Sequence, residues 1–269
     1  MIKFLFGEIS GDNIVFIYPD METVLVGRFE NFQMIAARPS KILCERCNKG
    51  IKEIKVEPVK NDAPILKYNF NQFPSVHSNH FGIGDQPRVM DPYAKKNIYI
   101  GKNEGVYAKR KILRGELVMY YSGLKWNQTN LQNYPNVKVP KGSTLYSTIL
   151  EETYKNQTYD DYWRNWRASP RYYLPKHYWM ISNYRATLGH KVRHSFKHDK
   201  TSFGKVHHPR FGEIRSIYAK ETINKGEEVF VNYGYLEGRL VPQWIEDLYF
   251  KDMGQKWPGC NKFFDEDCD

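Results

Sequence analysis

The four cysteines are the first residues whose type and spacing suggest a chemistry. Cys44 and Cys47 form a C-x-x-C pair, which supplies half of the ligands that a tetrahedral zinc site needs. Cys260 and Cys268 have seven residues between them, a spacing unlike that of a zinc knuckle. Free thiols in a reducing compartment are therefore favoured over a zinc ion shared between the two pairs and over a redox pair.

A pair of histidines gives a second possible metal site. His190 and His194 are four residues apart, which places two ligands on one face of a helix if the segment is helical. Gly189, directly before the pair, favours a loop instead. We therefore expect no metal in this protein.

Short apolar runs, each followed by turn residues, predict that the chain forms mostly β-strands, which would position the cysteines and histidines. The predicted strands are 13–18, 23–29, 97–101, 117–121 and 228–233. Two segments favour helices, at about 158–168 and at 242–251, where Pro242 precedes Trp244, Ile245 and Leu248 on one face. Between residues 60 and 91 the chain is rich in Asn, Pro, His and Gly, which is typical of a connector.

The composition describes a basic protein with many aromatic residues. The 269 residues include 40 Lys and Arg against 30 Asp and Glu, a net charge of +10, and 20 tyrosines. The aromatic content argues against disorder. No run approaches the ~18 apolar residues of a membrane helix, and the apolar part of the N-terminus is too short for a signal peptide. We expect a soluble intracellular protein with no membrane contact.

The positive charge also raises the question of nucleic-acid binding. Basic residues are scattered along the chain, and the densest stretch, 109–111, lies inside an apolar pattern. A dedicated nucleic-acid surface would cluster them on one face. We therefore expect no specific nucleic-acid contact, and charge-driven binding would be recognised by its steep loss with salt.

Four segments, taken in order, resemble the SET-domain protein lysine methyltransferases. They are 102–109, similar to the opening G-x-G-[LVI]-[FY]-[AS]; 118–123, a strand and glycine turn; 188–196, where that family has N-H-S; and 226–235, which matches G-E-E-[LVI]-x-x-x-Y-G-x. Segments 10–20, 91–93, 188–196 and 208–212 narrow the resemblance to the SET7/9 type, which carries MORN repeats. The resemblance implies a divergent member, truncated at its N-terminus because Met1 falls inside the repeat region.

The resemblance implies a mainly β SET-domain fold, with small curved sheets and a threaded loop. The implied parts are a MORN-type hairpin remnant at 1–60, a connector at 61–95, a SET domain at 96–235 with an insert at about 125–180, and a C-terminal helix and acidic tail at 236–269. The resemblance implies that the partner is a lysine-containing substrate, a histone or other nuclear protein, and that the protein itself is a monomer. The implied location is the nucleus and chromosome, with the cytoplasm in addition.

The implied activity is transfer of a methyl group from S-adenosyl-L-methionine to a lysine amine. By the resemblance Tyr233 is the catalytic tyrosine, Tyr121 and Tyr235 line the lysine tunnel, and Phe203 stands where the family has a further tunnel tyrosine. The implied cofactor-binding residues are Lys102, Asn103, Glu104, Arg193, His194 and Trp244. Aromatic walls suit this reaction because they disfavour the lysine ammonium by desolvation.

Three departures from the family pattern bear on activity. Arg193 stands where the family has Asn, and a cation beside a sulfonium repels it unless its side chain points away. Asn103 replaces a glycine of the opening motif, and 197–200 replaces the usual Pro-Asn-Cys. These departures support an alternative, a SET-fold binding or scaffold protein with weakened catalysis.

Overall fold

The structure is a computed structural model with a predominantly β fold, as the sequence predicts. It describes residues 10–48, 51–59, 65–66, 88–122, 124–126, 148–149, 171–173, 180–235, 241 and 243–258. The chain divides into two compact units. The first comprises Met1–Ala94, Tyr120–His190 and Lys205–Arg215, and the second comprises Lys95–Met119, Lys191–Gly204 and Ser216–Asp269.

An antiparallel sheet of hairpins occupies the N-terminal part of the first unit. Its strands are β1 (Gly11–Ile17), β2 (Thr23–Glu30), β3 (Gln33–Asn48) and β4 (Ile51–Pro58), paired in chain order, with β5 (Ile65–Leu66) also on β3. The strands predicted at 13–18 and 23–29 are confirmed. Asn31 and Phe32 join β2 to β3 with φ angles of 49° and 63°, the left-handed backbone that a tight type I′ hairpin turn requires.

The remaining strands form three further sheets, of two, three and five strands. They are β6 (Ile98–Ile100), β7 (Val106–Ala108), β8 (Leu117–Tyr121), β9 (Leu124–Trp126), β10 (Thr148–Ile149), β11 (Arg171–Tyr173), β12 (Arg193–His194), β13 (Thr201–His208), β14 (Gly212–Ala219) and β15 (Phe230–Val231). The sheet orders are β6-β7, β10-β11-β9 and β12-β15-β13-β14-β8. Of the predicted insert, most residues lie outside the described part of the chain.

The strand predicted at 228–233 is shorter than expected. Only Phe230 and Val231 form a regular strand, β15. Directly after it, the side chain of Asn232 accepts a hydrogen bond from the Gly234 amide at 2.8 Å, and Gly234 has a φ of 80°. This local turn ends the strand, since an Asn side chain that bonds its own backbone competes with sheet pairing.

The predicted C-terminal helix is confirmed as α1 (Gln243–Met253). Its buried residues, Ile245 and Tyr249, pack with Trp257. Gly254, with a φ of 70°, ends the helix and donates its amide to the Phe250 carbonyl at 2.9 Å. The helix predicted at 158–168 lies outside the described residues. Within the described part of the chain, no helix is long and apolar enough to cross a membrane.

A buried polar cluster lies in the core of the first unit. The carboxylate of Asp91 accepts the Tyr18 hydroxyl at 2.7 Å and lies 3.2 Å from Nε2 of His208. Nδ1 of His208 accepts the Arg210 amide at 3.1 Å, which leaves its hydrogen on Nε2, facing Asp91. Tyr93 stacks on Tyr18 with ring centroids 5.6 Å apart. We call Tyr18, Asp91, His208 and Arg210 the Asp91 cluster.

Candidate functional site

The turn between β6 and β7 carries three of the predicted cofactor-binding residues. Its backbone closes through hydrogen bonds from the Gly101 amide to the Gly105 carbonyl at 2.9 Å and from the Glu104 amide to the Gly101 carbonyl at 3.0 Å. The side chain of Asn103 accepts the Gly105 amide at 3.1 Å. Glu104 adopts a φ of 61°, and Lys102, Asn103 and Glu104 are exposed.

Two cations from the segment around β12 reach this turn in the second unit. Nζ of Lys191 donates to the Glu104 carboxylate at 2.7 Å, and this hydrogen bond and charge lower the pKa of Glu104. The guanidinium of Arg193 donates to the Asn103 carbonyl and lies 3.3 Å from Oε1 of Glu228. The structure therefore brings Asn103, Glu104 and Arg193 together, and their cofactor-binding role stays a prediction.

Glu228 is the central acceptor of a polar network that the sequence does not predict. Its Oε2 accepts the Tyr107 hydroxyl at 3.2 Å, and that hydroxyl accepts Nδ2 of Asn103 at 2.7 Å. A Cβ at Gly105 would lie 2.4 Å from Oε1 of Glu228, so a larger residue there would displace the carboxylate. The only signal in the sequence is the place of Glu228 in the Gly-Glu-Glu motif.

His194 lies among three aromatic residues of the second unit, Phe196, Tyr233 and Tyr235. Its Nδ1 is 3.2 Å from the Val231 carbonyl and 3.2 Å from the Tyr233 amide; the first contact needs a hydrogen on Nδ1, the second a lone pair. Its Nε2 is buried and has no hydrogen-bond partner among the described residues. Burial lowers the pKa of His194, so the ring is neutral at pH 7.

Three predicted aromatic residues pack around or next to this histidine. Tyr233 stacks on it with centroids 5.1 Å apart, and Tyr235 lies 5.6 Å from it. Trp244 of α1 meets Tyr235 edge to face at 6.0 Å. The Tyr233 hydroxyl donates to the Val192 carbonyl at 2.5 Å, and burial raises the pKa of Tyr235. Their catalytic and binding roles stay predictions.

The other two predicted tunnel residues lie on strands β8 and β13. Tyr121 is buried on β8 in the first unit, where a Cβ at Gly189 would lie 2.4 Å from its own Cβ. Phe203 is half-buried on β13 in the second unit. Because the backbone at position 189 lies so close to Tyr121, only a glycine fits there.

The segment after His194 is held by α1. Asp252 accepts the Ser195 hydroxyl at 2.7 Å and the Phe196 amide at 3.0 Å. Phe196 packs edge to face on Tyr249 at 4.9 Å. Nothing in the sequence pairs Asp252 with Ser195, because 57 positions separate them.

The possible metal sites gain no support in the described part of the chain. Gly189–Lys191 form a single 3₁₀ turn and His194 lies on β12, so His190 and His194 do not share a helix face. Among the described residues, no group of three or more His, Cys, Asp or Glu side chains could hold a metal ion. Cys260 and Cys268, and the side chains of Cys44 and Cys47, lie outside the described part.

Comparison with known families matches two parts of the chain. The SET domain family matches residues 103–234. The family described as Histone H3 K4-specific methyltransferase SET7 N-terminal matches residues 6–50.

Comparison with known proteins and structures gives the following similarities. Histone-lysine N-methyltransferase SETD7 of Halocynthia roretzi is 29% identical over 235 residues, 85% of this chain and 53% of that protein, so the chain spans about half of its relative. The Neurospora SET domain protein DIM-5, a histone lysine methyltransferase, has a TM-score of 0.35 at 15% identity over 54% of each chain. CpSET8 from Cryptosporidium has a TM-score of 0.34 at 15% identity, over 51% of this chain and 56% of its own. With a SET domain at 103–234 and a SET7-type N-terminal region before it, the chain belongs to the SET-domain proteins of the SET7/9 type, as a divergent member.

Proposed function

We propose that the protein is an S-adenosylmethionine-dependent protein-lysine N-methyltransferase. The observation that carries the proposal is the packing of Tyr233 and Tyr235 on a neutral, buried His194 within the SET domain. Trp244 extends this aromatic group through its edge-to-face contact with Tyr235.

The aromatic group suits the protonation problem of this reaction. A lysine amine has a pKa near 10.4, so its neutral form costs about 4–5 kcal/mol at pH 7. A site lined by aromatic rings lowers this cost, because desolvation disfavours the ammonium. The ring faces also attract an amine that still carries charge or methyl groups. Tyr235 keeps its proton, since burial raises the pKa of its hydroxyl, and adds no negative charge.

The residues around the turn at 101–105 fit the proposed methyl donor. When bound, S-adenosylmethionine supplies an electrophilic methyl group on a positively charged sulfonium. His194 offers a buried Nε2 that has no hydrogen-bond partner among the described residues, and its ring is neutral. Lys191 and Arg193 are each paired with a carboxylate, of Glu104 and Glu228. Lys102, Asn103, Glu104, Arg193, His194 and Trp244 would therefore bind the donor.

The substrate is proposed to be a lysine in a histone or other nuclear protein, and the protein to act in the nucleus and on the chromosome. The name of the Halocynthia relative, a histone-lysine N-methyltransferase, supports this substrate class. We propose that the protein works as a monomer and that specific nucleic-acid contact has no part in it. We likewise propose the division of the chain into a hairpin remnant at 1–60, a connector at 61–95, a SET domain at 96–235 and a C-terminal segment at 236–269.

The test is methylation of histones and of a lysine peptide array, read by mass spectrometry, with Tyr233→Phe as the variant. We expect loss of the single hydroxyl to lower the rate by about 10²-fold, because the amine loses its alignment. Tyr218→Phe is the matched control, since Tyr218 is a half-buried tyrosine of β14 in the same unit. Equal rates in Tyr233→Phe and wild type would refute the assigned role of Tyr233.

The alternative is a SET-fold binding or scaffold protein with weakened catalysis. Two contacts favour it: the Tyr233 hydroxyl is bonded to the Val192 carbonyl, and Arg193 is bonded to the Asn103 carbonyl. Titration with S-adenosylhomocysteine separates the two proposals. Binding supports the enzyme, whereas no binding at millimolar ligand supports the scaffold.

A further inference from the structure

Arg193 poses a specific electrostatic problem for the proposed donor site. Its side chain is 45% exposed and its guanidinium contacts the turn itself, at the Asn103 carbonyl. A cation at this place repels a sulfonium, and the repulsion falls only if an opposite charge compensates it. The Glu228 carboxylate, with an 18% exposed side chain, lies 3.3 Å from the guanidinium.

We infer that Glu228 is a positioning residue for the methyl donor, which acts by holding Arg193 in place and cancelling its charge. The inference rests on the proposed function, because it assigns a role toward the donor of that reaction. It concerns a residue that contacts Arg193 and Tyr107.

Two contacts fix the carboxylate of Glu228, and a third holds its backbone. Oε1 faces Arg193, and Oε2 accepts the Tyr107 hydroxyl, which is itself bonded to Asn103. The backbone of Glu228 bridges that of Tyr107. Gly105 leaves the room that the carboxylate occupies. Glu228 is thus held from both its side chain and its backbone, unlike a mobile surface acid.

The same compensation occurs at the neighbouring cation. Lys191 is buried, and its ammonium is paired with Glu104 at 2.7 Å. His194, the third basic residue of this short segment, is neutral because burial lowers its pKa. Lys191, Arg193 and His194 therefore present no net charge to the turn as long as Glu104 and Glu228 are ionised.

The charge role predicts a difference between two ligands of nearly equal shape. S-adenosylmethionine carries the sulfonium, whereas S-adenosylhomocysteine has a neutral thioether. Glu228→Gln keeps the size and the hydrogen-bonding oxygen of the side chain but leaves Arg193 uncompensated. We expect the affinity for S-adenosylmethionine to fall about fivefold more than that for S-adenosylhomocysteine, as expected for two charges in a partly solvated site.

The experiment is calorimetric titration of the full chain with both ligands. The variants are Glu228→Gln, Arg193→Gln and the double variant, which form a double-mutant cycle. The double variant should restore the wild-type ratio of the two affinities, because the uncompensated charge is gone. In about 1 M salt the ratio for Glu228→Gln should return toward that of wild type, since the Debye length shrinks to ~3 Å.

Glu116→Gln is the matched control. Arg110 and Glu116 form an Arg–Glu pair of 2.8 Å in the same unit, with Arg110 44% exposed. Arg110 also donates to a backbone carbonyl, that of Lys111, as Arg193 does to Asn103. The substitution should leave the ratio of the two affinities unchanged, since among the described residues the side chains of this pair contact only Asn97, Lys111 and each other.

The outcomes separate the inference from the proposed function. If Glu228→Gln weakens both ligands equally, Glu228 has a purely structural role and the inference is wrong, while the proposed function stands. If wild type binds neither ligand, the proposed function itself fails. A selective loss of S-adenosylmethionine affinity that the double variant reverses supports both.

Discussion

The Asp91 cluster and the Glu228 network, which consists of Asn103, Tyr107, Arg193 and Glu228, use the same chemical groups at very different depths. Each joins a carboxylate to an arginine or histidine and to a tyrosine hydroxyl. Asp91 and His208 are completely buried, whereas Arg193 is nearly half exposed. Burial strengthens every charge interaction and makes an unpaired group expensive. The comparison therefore indicates that the Asp91 cluster contributes more to stability than the Glu228 network does.

Removal of the buried carboxylate gives the largest expected effect. Asp91→Ala leaves the Tyr18 hydroxyl and the Tyr93 amide without this acceptor and removes the carboxylate that lies 3.2 Å from Nε2 of His208. We expect the free energy of unfolding to fall by about 3–5 kcal/mol, as when a buried pair loses one partner. Urea denaturation of the full chain measures it.

Glu30→Ala, which removes the exposed partner of Arg28 in the same unit, is the control and should leave the urea midpoint almost unchanged. A loss in Asp91→Ala as small as in this control would break the comparison, because depth would then not determine the contribution of the carboxylate.

The partly buried carboxylate of Asp252 provides a case between the two regions. Asp252 is partly buried and accepts the Ser195 hydroxyl and the Phe196 amide. Asp252→Asn should lower the free energy of unfolding by about 1–2 kcal/mol, because a charge-assisted hydrogen bond becomes a neutral one. The urea midpoint provides the measurement.

Asp247→Asn is the control for Asp252, since Asp247 lies on the same helix and bonds only to the exposed Gln243 in the described contacts. A loss in Asp252→Asn larger than that in Asp91→Ala would reverse the proposed order of depth.

Lowering the pH gives the smallest expected effect on the free energy of unfolding. Burial by itself would raise the pKa of Asp91, but the facing His208, the Tyr18 hydroxyl and Arg210 lower it below its ordinary value of 3.8. The unfolded state then binds the proton more readily, so this contribution is present above about pH 4 and is lost as the pH falls further.

Asp91→Asn should therefore show a shallower decline of stability than wild type between pH 5 and pH 3. The measurement is the free energy of unfolding in urea at each pH. Identical slopes for the two proteins would mean that other carboxylates, such as Asp252 with its lowered pKa, carry the acid dependence.

Local sequence patterns predicted the secondary-structure elements well, but they did not predict the contacts between residues that are distant in the sequence. Pro242 and the spacing of Trp244 and Ile245 predicted α1, and apolar runs predicted β1, β2, β6 and β8. The family motifs assigned Arg193 and Asn103 to one site but did not predict their hydrogen bond, and the roles of the site residues stay predictions. The strand at 228–233 was too long, because the pattern of apolar residues does not register the turn at Asn232.

The partners that compensate charge could not be predicted from spacing. Glu228 lies 35 positions after Arg193, and Tyr18 lies 73 positions before Asp91. Asp91 and His208 both lie in segments that supported the resemblance, but a motif does not say which residues touch. Such pairs form only when the folded backbone brings an acid and a base from distant parts of the chain together.

The network around the turn at 101–105 also sets an order of assembly during synthesis. Tyr107 and Glu228 are separated by 121 residues, and Asn103 and Arg193 by 90. At about 5–20 residues per second, the ribosome makes the turn roughly 10 s before it makes the acid that completes its network. The polar groups of the nascent turn are therefore in water until then, and the proposed donor site can form only after residue 228 has been made.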